Sequence, residues 1–307
     1  MYDINQIENI GELRLKYRGM LYACLAATFW AISGISGQIL MQQFHFTANW
    51  IVAARMIVSG GLLLLFSQRF NQKKSLGDIF QQPSAMIRLL LFGVFGMYAV
   101  QAGFFQTIEY SNASFATIIQ FTGPIFIIFY EAIRNRTWPS VPTIFLLILT
   151  FIGILLLATK GNLNQLIVPK MAIVMGLIAA LAIAVYSILP RQLIMDYGSL
   201  TVVGMGMLIG GIFANLVHPI WQVDGLFTLA SFIQFLIVAI VGTALSFFCY
   251  SQSLQYISPS LAGILTAVEP LLSLVFSIII FHLAFGWIEW IGFLLVFCSI
   301  LLLQRKM

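Results

Sequence analysis

The stretch Gln252-Ser-Leu-Gln-Tyr256, followed by Glu269-Pro270, repeats an earlier stretch of the chain, Gln106-Thr-Ile-Glu-Tyr110, followed by Gly123-Pro124. The shift from position 106 to position 252 is 146 residues, and it also brings the apolar run Ile154–Leu157 onto Ile300–Leu303. A hydrophobic unit of this length that occurs twice in one chain predicts two structurally equivalent halves. It also places Pro124 and Pro270 at equivalent points, and a proline inside a helix removes a backbone hydrogen bond and predicts a kink.

The composition is that of a membrane protein. Of the 307 residues, 61% are hydrophobic and only 8% are charged, whereas soluble domains are about half apolar and about a quarter charged. We therefore predict an all-α integral membrane protein. Ten spans, numbered 1 to 10 in chain order, are predicted at about residues 19–40, 47–66, 86–108, 113–133, 140–159, 171–190, 200–221, 228–255, 258–281 and 286–303. The loops between them are too short to hold a soluble catalytic or nucleic-acid-binding domain.

The distribution of basic residues predicts the orientation of the chain. Lys and Arg are enriched in cytoplasmic loops. If the N-terminus is cytoplasmic, only Lys160 and Lys170 fall on the outer side. The cytoplasmic side then receives Arg14, Lys16, Arg18, Arg69, Lys73, Lys74, Arg88, Arg134, Arg136, Arg191, Arg305 and Lys306. We therefore predict a cytoplasmic segment 1–18, a retained first helix without a removable signal peptide, and a cytoplasmic tail 304–307.

The two copies of the repeat are predicted to be inverted relative to each other. The first copy covers residues 19–159 and the second covers residues 171–303, with an outer connecting loop at 160–170. Each copy has five spans, and because five is odd, the second copy enters the membrane from the opposite side. Inverted halves of this kind are typical of carriers in which one half rocks against the other around a shared site.

Short motifs on this layout resemble a known family. They are Ala26-Ala-Thr-Phe-Trp30-Ala-Ile-Ser33-Gly34 in span 1, Ala53-Ala54-Arg55 in span 2 and Glu269-Pro270 in span 9. Together, over about residues 19–303, they resemble the EamA-type transporters of the drug/metabolite transporter superfamily. The resemblance implies secondary transport of small metabolites, amino acids, amines or drugs, usually as export, through a central cavity lined chiefly by spans 1, 3, 4, 6, 8 and 9. Where many relatives carry an acidic residue near the ends of spans 4 and 9, this chain has Arg134-Asn-Arg136 and His282.

Glu269 is the most informative candidate for chemistry, because it is an acidic residue in the middle of an apolar span. A carboxylate at this depth costs about 2.5 to 3.5 kcal/mol on insertion scales unless it is paired, hydrated or protonated. Three hypotheses account for it: it binds a cationic group of the substrate, it takes up a proton during the transport cycle, or it forms a salt bridge that holds two helices together. Its repeat partner is Gly123, so the halves differ chemically at this point.

Polar and aromatic residues at helical spacing predict the rest of a substrate site. Thr117 and Gln120 share one face of span 4, and Glu269 and Ser273 share one face of span 9. Aromatic faces can hold an ammonium group by cation–π attraction. The alternative interpretation is ordinary packing between helices. The predicted substrate-binding residues are Trp30, Ser33, Tyr98, Gln101, Gln120, Tyr186, Tyr250, Thr266 and Glu269.

Arg55 is the one basic residue well inside a predicted span, since Arg88 lies at the cytoplasmic start of span 3. Its long side chain can reach the interface or cap backbone carbonyl groups, which would make it structural. The alternative is a clamp on a carboxylate or phosphate group of the substrate. Both hypotheses remain open at this point.

The predicted partners are a small-molecule substrate, membrane lipid and protons as a candidate coupling ion, with no nucleic acid. The three cysteines, Cys24, Cys249 and Cys298, have no metal-site spacing, and neither a metal nor a cofactor is predicted. A channel and a membrane-embedded enzyme are the alternatives, but the chain shows no charged ring, nucleophile motif or phosphate loop. The predicted location is the cytoplasmic membrane, and the assembly is a monomer or a homodimer.

Overall fold

The computed structural model describes residues 4–70, 76–162 and 165–305, and in this part of the chain all regular structure is helical. Ten helices are long and apolar enough to cross a membrane, one for each predicted span. We label them α1 to α10. Six are continuous: α1 Ile4–Phe44, α2 Ala48–Phe70, α5 Val141–Thr159, α6 Lys170–Ile188, α7 Ser199–Val217 and α10 Trp287–Gln304. Two short helices, Leu76–Phe80 and Arg191–Tyr197, lie between them.

The other four membrane helices are interrupted. In α3 and α8 a π-helical turn separates two α-helical segments. The segments of α3 are Pro83–Leu91, Phe92–Tyr98 (π) and Ala99–Tyr110, and those of α8 are Leu229–Leu236, Ile237–Leu245 (π) and Ser246–Ser253. In α4 and α9 the helix breaks. The two parts of α4 are α4a Ala113–Gln120 and α4b Gly123–Asn135, and those of α9 are α9a Pro259–Thr266 and α9b Val268–Phe281.

The breaks in α4 and α9 follow from the two prolines. A proline inside a helix has no N–H to donate, and its ring clashes with the carbonyl group four residues earlier. Four residues before Pro124 and Pro270 are Gln120 and Thr266, and these are the last residues of α4a and α9a. The sequence predicted a kink here. The structure interrupts the regular α-helix by two residues in α4, Phe121 and Thr122, and by one in α9, Ala267, and all three keep helical backbone angles.

Further features of the two halves coincide at the 146-residue shift. The bounds of α4a fall on those of α9a. The residues that end α4b and α9b, Arg136 and His282, are also equivalent, and both adopt left-handed backbone conformations with φ values of 54° and 51°. Each half therefore breaks and ends its fourth helix in the same way, which supports the predicted repeat.

Packing between the helices follows much of the same symmetry. Helices α2 and α5 pack against their counterparts α7 and α10. Most other contacts between the halves come in exchangeable pairs: α3 with α6 and α8 with α1, α3 with α7 and α8 with α2, α4 with α6 and α9 with α1. In the described part of the chain, two contacts have no such equivalent: α4a packs on α9b although α4b and α9a are not among the closely packed pairs, and α10 contacts α4 without a matching packed pair of α5 and α9. The core that these contacts form thus lies mainly between the halves, where a shared site is expected.

Close approach of α5 and α10 depends on glycine. A Cβ atom on Gly153 would lie 2.7 Å from the carbonyl oxygen of Gly292, and a Cβ atom on Gly292 would lie 2.8 Å from the carbonyl oxygen of Gly153. Small residues at such crossings allow the backbones of membrane helices to touch. The α5–α10 pair is therefore held by direct backbone contact at the side of the bundle.

The helix ends gather on two faces. Arg88, Arg134 and Arg191 line a cleft on the face from which α1 begins, which we call the N-terminal face. Asn112 and Lys160 line a smaller cleft on the opposite face, which carries the connecting loop and which we call the loop face. Helix ends that the sequence predicted to lie on the same side of the membrane thus line the same cleft in the structure. Lys73, Lys74, Lys306 and loop residues 163–164 lie outside the described residues.

Helix α1 begins at Ile4, well before the predicted start of span 1 near residue 19. The side chains of Arg14, Lys16 and Arg18 are exposed, so this first part continues the helix with charged residues that favour helical structure. The guanidinium carbon of Arg18 lies 5.8 Å from the ring centre of Tyr22 and 5.5 Å from that of Tyr256. The N-terminal segment is thus a helical extension, anchored to the turn between α8 and α9.

Candidate functional site between the two halves

The two broken helices cross at a hydrogen bond between hydroxyl groups. Thr117 of α4a donates to the Oγ atom of Ser273 of α9b at 2.9 Å, and both side chains are buried. Each residue belongs to a polar stripe that the sequence predicted. Gln120 lies one turn after Thr117 and Glu269 lies one turn before Ser273. Because α4a begins at the loop face and α9b ends there, Gln120 and Glu269 lie on the same side of the crossing, toward the N-terminal face.

The polar residues at the helix breaks have unequal hydrogen bonding. Thr266 donates its hydroxyl proton to the carbonyl oxygen of Gly263 at 2.8 Å. The Oε1 atom of Gln120, at the equivalent point of the other half, is buried and has no hydrogen-bond partner. A buried acceptor without a partner costs about 1 to 3 kcal/mol. The amide of Gln120 is therefore available to bind a donor that enters the break.

Glu269 lies in the first turn of α9b. The unpaired N–H groups of a helix N-terminus carry a partial positive charge, which stabilises a nearby carboxylate. The side chain is partly exposed. Among the described residues, the two ion pairs are Lys160–Glu289 and His218–Asp224, so Glu269 has no cationic partner there. The salt-bridge hypothesis for Glu269 lacks a partner in this structure, whereas substrate binding and proton uptake need none.

Three predicted aromatic residues meet in one cluster on the side of the N-terminal face. The ring of Trp30 lies 5.5 Å from that of Tyr250 and 5.4 Å from that of Phe247. Phe247 also contacts Tyr186 at 6.2 Å, and Tyr186 stacks on Phe92 at 5.8 Å. Helices α1, α3, α6 and α8 thus contribute to one aromatic wall.

Phe247 and Phe92 were not predicted as site residues. Phe247 lies three residues before Tyr250 and therefore shares its face of α8, so helical spacing was sufficient to find it. For Phe92 no comparable pattern exists. It begins the π-helical segment of α3, and within this segment the ordinary spacing of an α-helix does not tell which residues share a face with Phe92.

Ser33 and Tyr98 lie in contacts between helices. Ser33, one turn after Trp30, packs directly against Gly242 of α8, and its buried hydroxyl group has no hydrogen-bond partner. The ring of Tyr98 makes an edge contact with Phe213 of α7 at 5.0 Å, and no aromatic contact among the described residues joins it to the Trp30 cluster. The predicted set is therefore spread over several contacts between helices.

Arg55 of α2 is buried, with 3% of its surface exposed. Its guanidinium carbon lies 4.4 Å from the ring centre of Phe105 on α3, and Gln101, also buried, lies one turn before Phe105. The Nε and Nη1 atoms of Arg55 are buried without a hydrogen-bond partner. In this structure Arg55 thus stacks on an aromatic ring and does not reach the interface. Its unpaired N–H groups could receive a carboxylate.

The side chains of most predicted site residues are partly exposed, although the helices that carry them pack on several neighbouring helices. Trp30, Tyr98, Gln120, Tyr186, Tyr250, Thr266 and Glu269 are partly exposed, whereas Ser33 and Gln101 are buried. Partial exposure of polar and aromatic side chains along α1, α4, α6, α8 and α9 is what a cavity between the halves requires.

Comparisons with known proteins agree with this architecture. The model of the EamA-like transporter family matches the chain twice, over residues 17–159 and 170–305. The uncharacterized inner membrane transporter YicL of Salmonella typhimurium is 32% identical over 290 residues, covering 94% of this chain and 95% of the relative. A solved crystal structure with 12% sequence identity has the same fold, with a TM-score of 0.60 over 96% of this chain and 98% of that one. The chain is a multi-pass inner membrane protein and a membrane transporter, and it belongs to the EamA-like transporter family.

Proposed function

We propose that this protein is a secondary carrier that exports a small metabolite (an amino acid, an amine or a drug-like solute) by alternating access, with protons as the coupling ion. One observation carries the proposal: the carboxylate of Glu269 lies in the first turn of α9b, without a cationic partner among the described residues, one turn from the crossing of the two halves. An intramembrane acid between inverted halves marks the place where carriers bind substrate or protons.

The packing of the broken helices supports a site that opens to one side. Near the loop face α4a and α9b pack together, while α4b and α9a are not among the closely packed helix pairs. Contact between the two broken helices thus lies on the loop-face side of their breaks. Alternating access then corresponds to rocking that separates α4a from α9b and brings α4b and α9a together.

The chemistry of the site favours a cationic or zwitterionic substrate. Trp30 and Tyr250 present aromatic faces on the same side of the crossing as Glu269, and a desolvated ammonium group gains about 2 kcal/mol or more from such faces. The unpaired N–H groups of Arg55 would suit a carboxylate. An amino acid offers both groups.

Uptake into proteoliposomes tests this proposal. The purified chain is reconstituted, and a panel of labelled amino acids, amines and drug-like cations is presented with and without a pH gradient. A carrier gives uptake that saturates, that is accelerated when unlabelled substrate is enclosed inside, and that the gradient drives above equilibrium. A channel gives uptake that does not respond to enclosed substrate, and a facilitator gives uptake that the gradient does not drive above equilibrium. Either result would replace the proposal.

A further inference from the structure

A cleft of about 630 Å³ lies on the N-terminal face, apart from the crossing of α4 and α9. It is formed by the start of α3, the end of α4b, the end of α6 and the short helix Arg191–Tyr197 that follows. Three arginines from three different elements line it: Arg88, Arg134 and Arg191. The substrate site proposed above includes none of them.

The charges in this arginine cleft are not balanced. The acidic residue that lines it is Glu131, so three cations face one anion, and no ion pair among the described residues joins Glu131 to an arginine. Arg134 Nη1 donates to the hydroxyl group of Tyr130 at 3.4 Å, and Arg191 Nε donates to the carbonyl oxygen of Ser187 at 3.3 Å. These hydrogen bonds hold the guanidinium groups of Arg134 and Arg191 in place. The other N–H groups of both side chains remain available to bind an anion.

Arginine is suited to phosphate, because its planar group can donate two parallel hydrogen bonds to two phosphate oxygens. Several arginines in one cleft would repel one another unless an anion lies between them. The chemistry of the cleft is therefore that of a phosphate-bearing ligand, which could be a lipid headgroup or a soluble phosphate.

The surroundings of the cleft favour a lipid. Large apolar side chains next to its arginines are exposed: Ile87 is 56% exposed, Ile133 is 79% exposed and Met195, which lines the cleft, is 60% exposed. Such side chains at the end of membrane helices offer a surface for acyl chains, while a basic pocket at the same depth holds the headgroup. A soluble phosphate would use the arginines but would not cover this apolar surface.

We propose that the cleft lined by Arg88, Arg134 and Arg191 binds the headgroup of an anionic phospholipid, whose acyl chains lie against the apolar residues beside it. Each basic residue near an anionic lipid surface contributes about 1 kcal/mol, or about fivefold in affinity. Loss of all three arginines is therefore expected to weaken binding by about 100-fold.

Native mass spectrometry of the full-length protein in detergent measures this binding directly, with phosphatidylglycerol as the probe and phosphatidylcholine as the neutral comparison. The test variant is the triple substitution Arg88→Gln, Arg134→Gln, Arg191→Gln. The matched control removes three exposed arginines of the same face outside the cleft: Arg14→Gln, Arg69→Gln and Arg305→Gln. A second variant replaces the cleft arginines by lysine, which keeps the charge and loses the paired hydrogen bonds. Melting temperature and gel filtration check that every variant folds.

The expected result is that the wild type binds phosphatidylglycerol at least about tenfold more tightly than phosphatidylcholine, that the cleft variant loses this preference, and that the control changes by less than about twofold. The lysine variant should be intermediate, and Glu131→Gln should strengthen binding by about fivefold. Equal loss in the control variant, or equal binding of the two lipids by the wild type, would overturn the proposal. Displacement of the lipid by equimolar glycerol phosphate would also overturn it, in favour of a soluble phosphate ligand.

Discussion

Thr117 and Ser273, which are 156 positions apart in the sequence, share a hydrogen bond of 2.9 Å that joins α4a to α9b between the two halves. Thr117 also donates to the carbonyl oxygen of Ala113, so its hydroxyl proton is shared between its own helix and the opposite half. The bond lies on the loop-face side of both helix breaks. It is thus placed to stabilise the arrangement in which the site is closed toward that face.

Removing this bond should shift the protein toward the state that is open to the loop face. A buried hydrogen bond of this kind contributes about 0.5 to 1.5 kcal/mol, which is about a two- to tenfold change in an equilibrium. In Thr117→Val and Ser273→Ala, we expect a cysteine at Gln120 to be labelled two to ten times faster from the loop face. Thr150→Val is the matched control, because Thr150 is also buried and donates only within α5. Equal rates in all variants would show that the bond does not favour either state.

The orientation of the chain is testable at its loops. A single cysteine on each face serves as the probe. On the loop face it replaces the exposed Gln165, because the neighbouring Asn164 lies outside the described residues, and on the N-terminal face it replaces the exposed Gln192. In a variant without the three native cysteines, we expect an impermeant reagent to label Gln165→Cys in intact cells and Gln192→Cys only after the membrane is opened. The reverse pattern would contradict the predicted cytoplasmic N-terminus.

The aromatic cluster is expected to contribute to substrate affinity. If Trp30 holds an ammonium group, Trp30→Ala should raise the half-saturation concentration of a cationic substrate by about 30-fold, since a desolvated cation–π contact contributes about 2 kcal/mol. Trp30→Phe should lose less. Trp290→Ala is the control, because Trp290 packs between Phe285 and Phe293 of the α9–α10 region. If Trp290→Ala and Trp30→Ala change uptake equally, the cluster only packs the helices.

Arg55 gives a prediction about stability as well as function. A buried cation without hydrogen-bond partners is unfavourable, so replacing it by a similarly long apolar side chain should not destabilise the fold. For Arg55→Met we expect an unchanged or higher melting temperature and a loss of affinity for substrates that carry a carboxylate, whereas amines without one should be unaffected. A melting temperature lower by several degrees with unchanged transport would assign Arg55 a structural role.

Much of the fold follows from the sequence because lipid imposes a strict pattern. The ten spans were predicted correctly, since a helix that crosses the bilayer must be both long and apolar. The position of the break after Gln120 and Thr266 was predicted, because proline chemistry determines where the regular hydrogen bonds of a helix are interrupted. The extension of α1 to Ile4 was not predicted, since charged residues outside the bilayer do not reveal whether the helix continues.

The candidate site was less predictable than the fold. Helical spacing predicted which residues of one helix share a face, since residues three or four apart do so. The structure brings Trp30 beside Tyr250 and Thr117 beside Ser273, and the binding of substrate by these faces stays a prediction. It did not place Tyr98 against Phe213 or Arg55 against Phe105. Those contacts depend on which helix lies beside α3, and the spacing within one helix carries no such information. The π-helical turns in α3 and α8 change the direction of side chains further.

The proposed role of Glu269 is tested most directly by substitutions in reconstituted protein. Glu269→Gln keeps the shape and removes the charge, while Glu269→Asp keeps the charge at a shifted position. Glu289→Gln is a structural control, because Glu289 forms an ion pair with Lys160 at 3.0 Å and does not lie at the crossing of α4a and α9b. It should lower the melting temperature without changing coupling.

The decisive measurement is accumulation driven by a pH gradient compared with exchange of substrate for substrate, in proteoliposomes that contain the wild type, Glu269→Gln or Glu269→Asp. We expect Glu269→Gln to fold, to retain exchange and to lose accumulation. If the carboxylate also binds an ammonium group, the affinity of this variant for substrate should be weaker. Glu269→Asp should keep part of both activities. If both substitutions lower the melting temperature and the yield while the affinity and coupling of the folded protein stay unchanged, Glu269 is structural and the proposed site is contradicted.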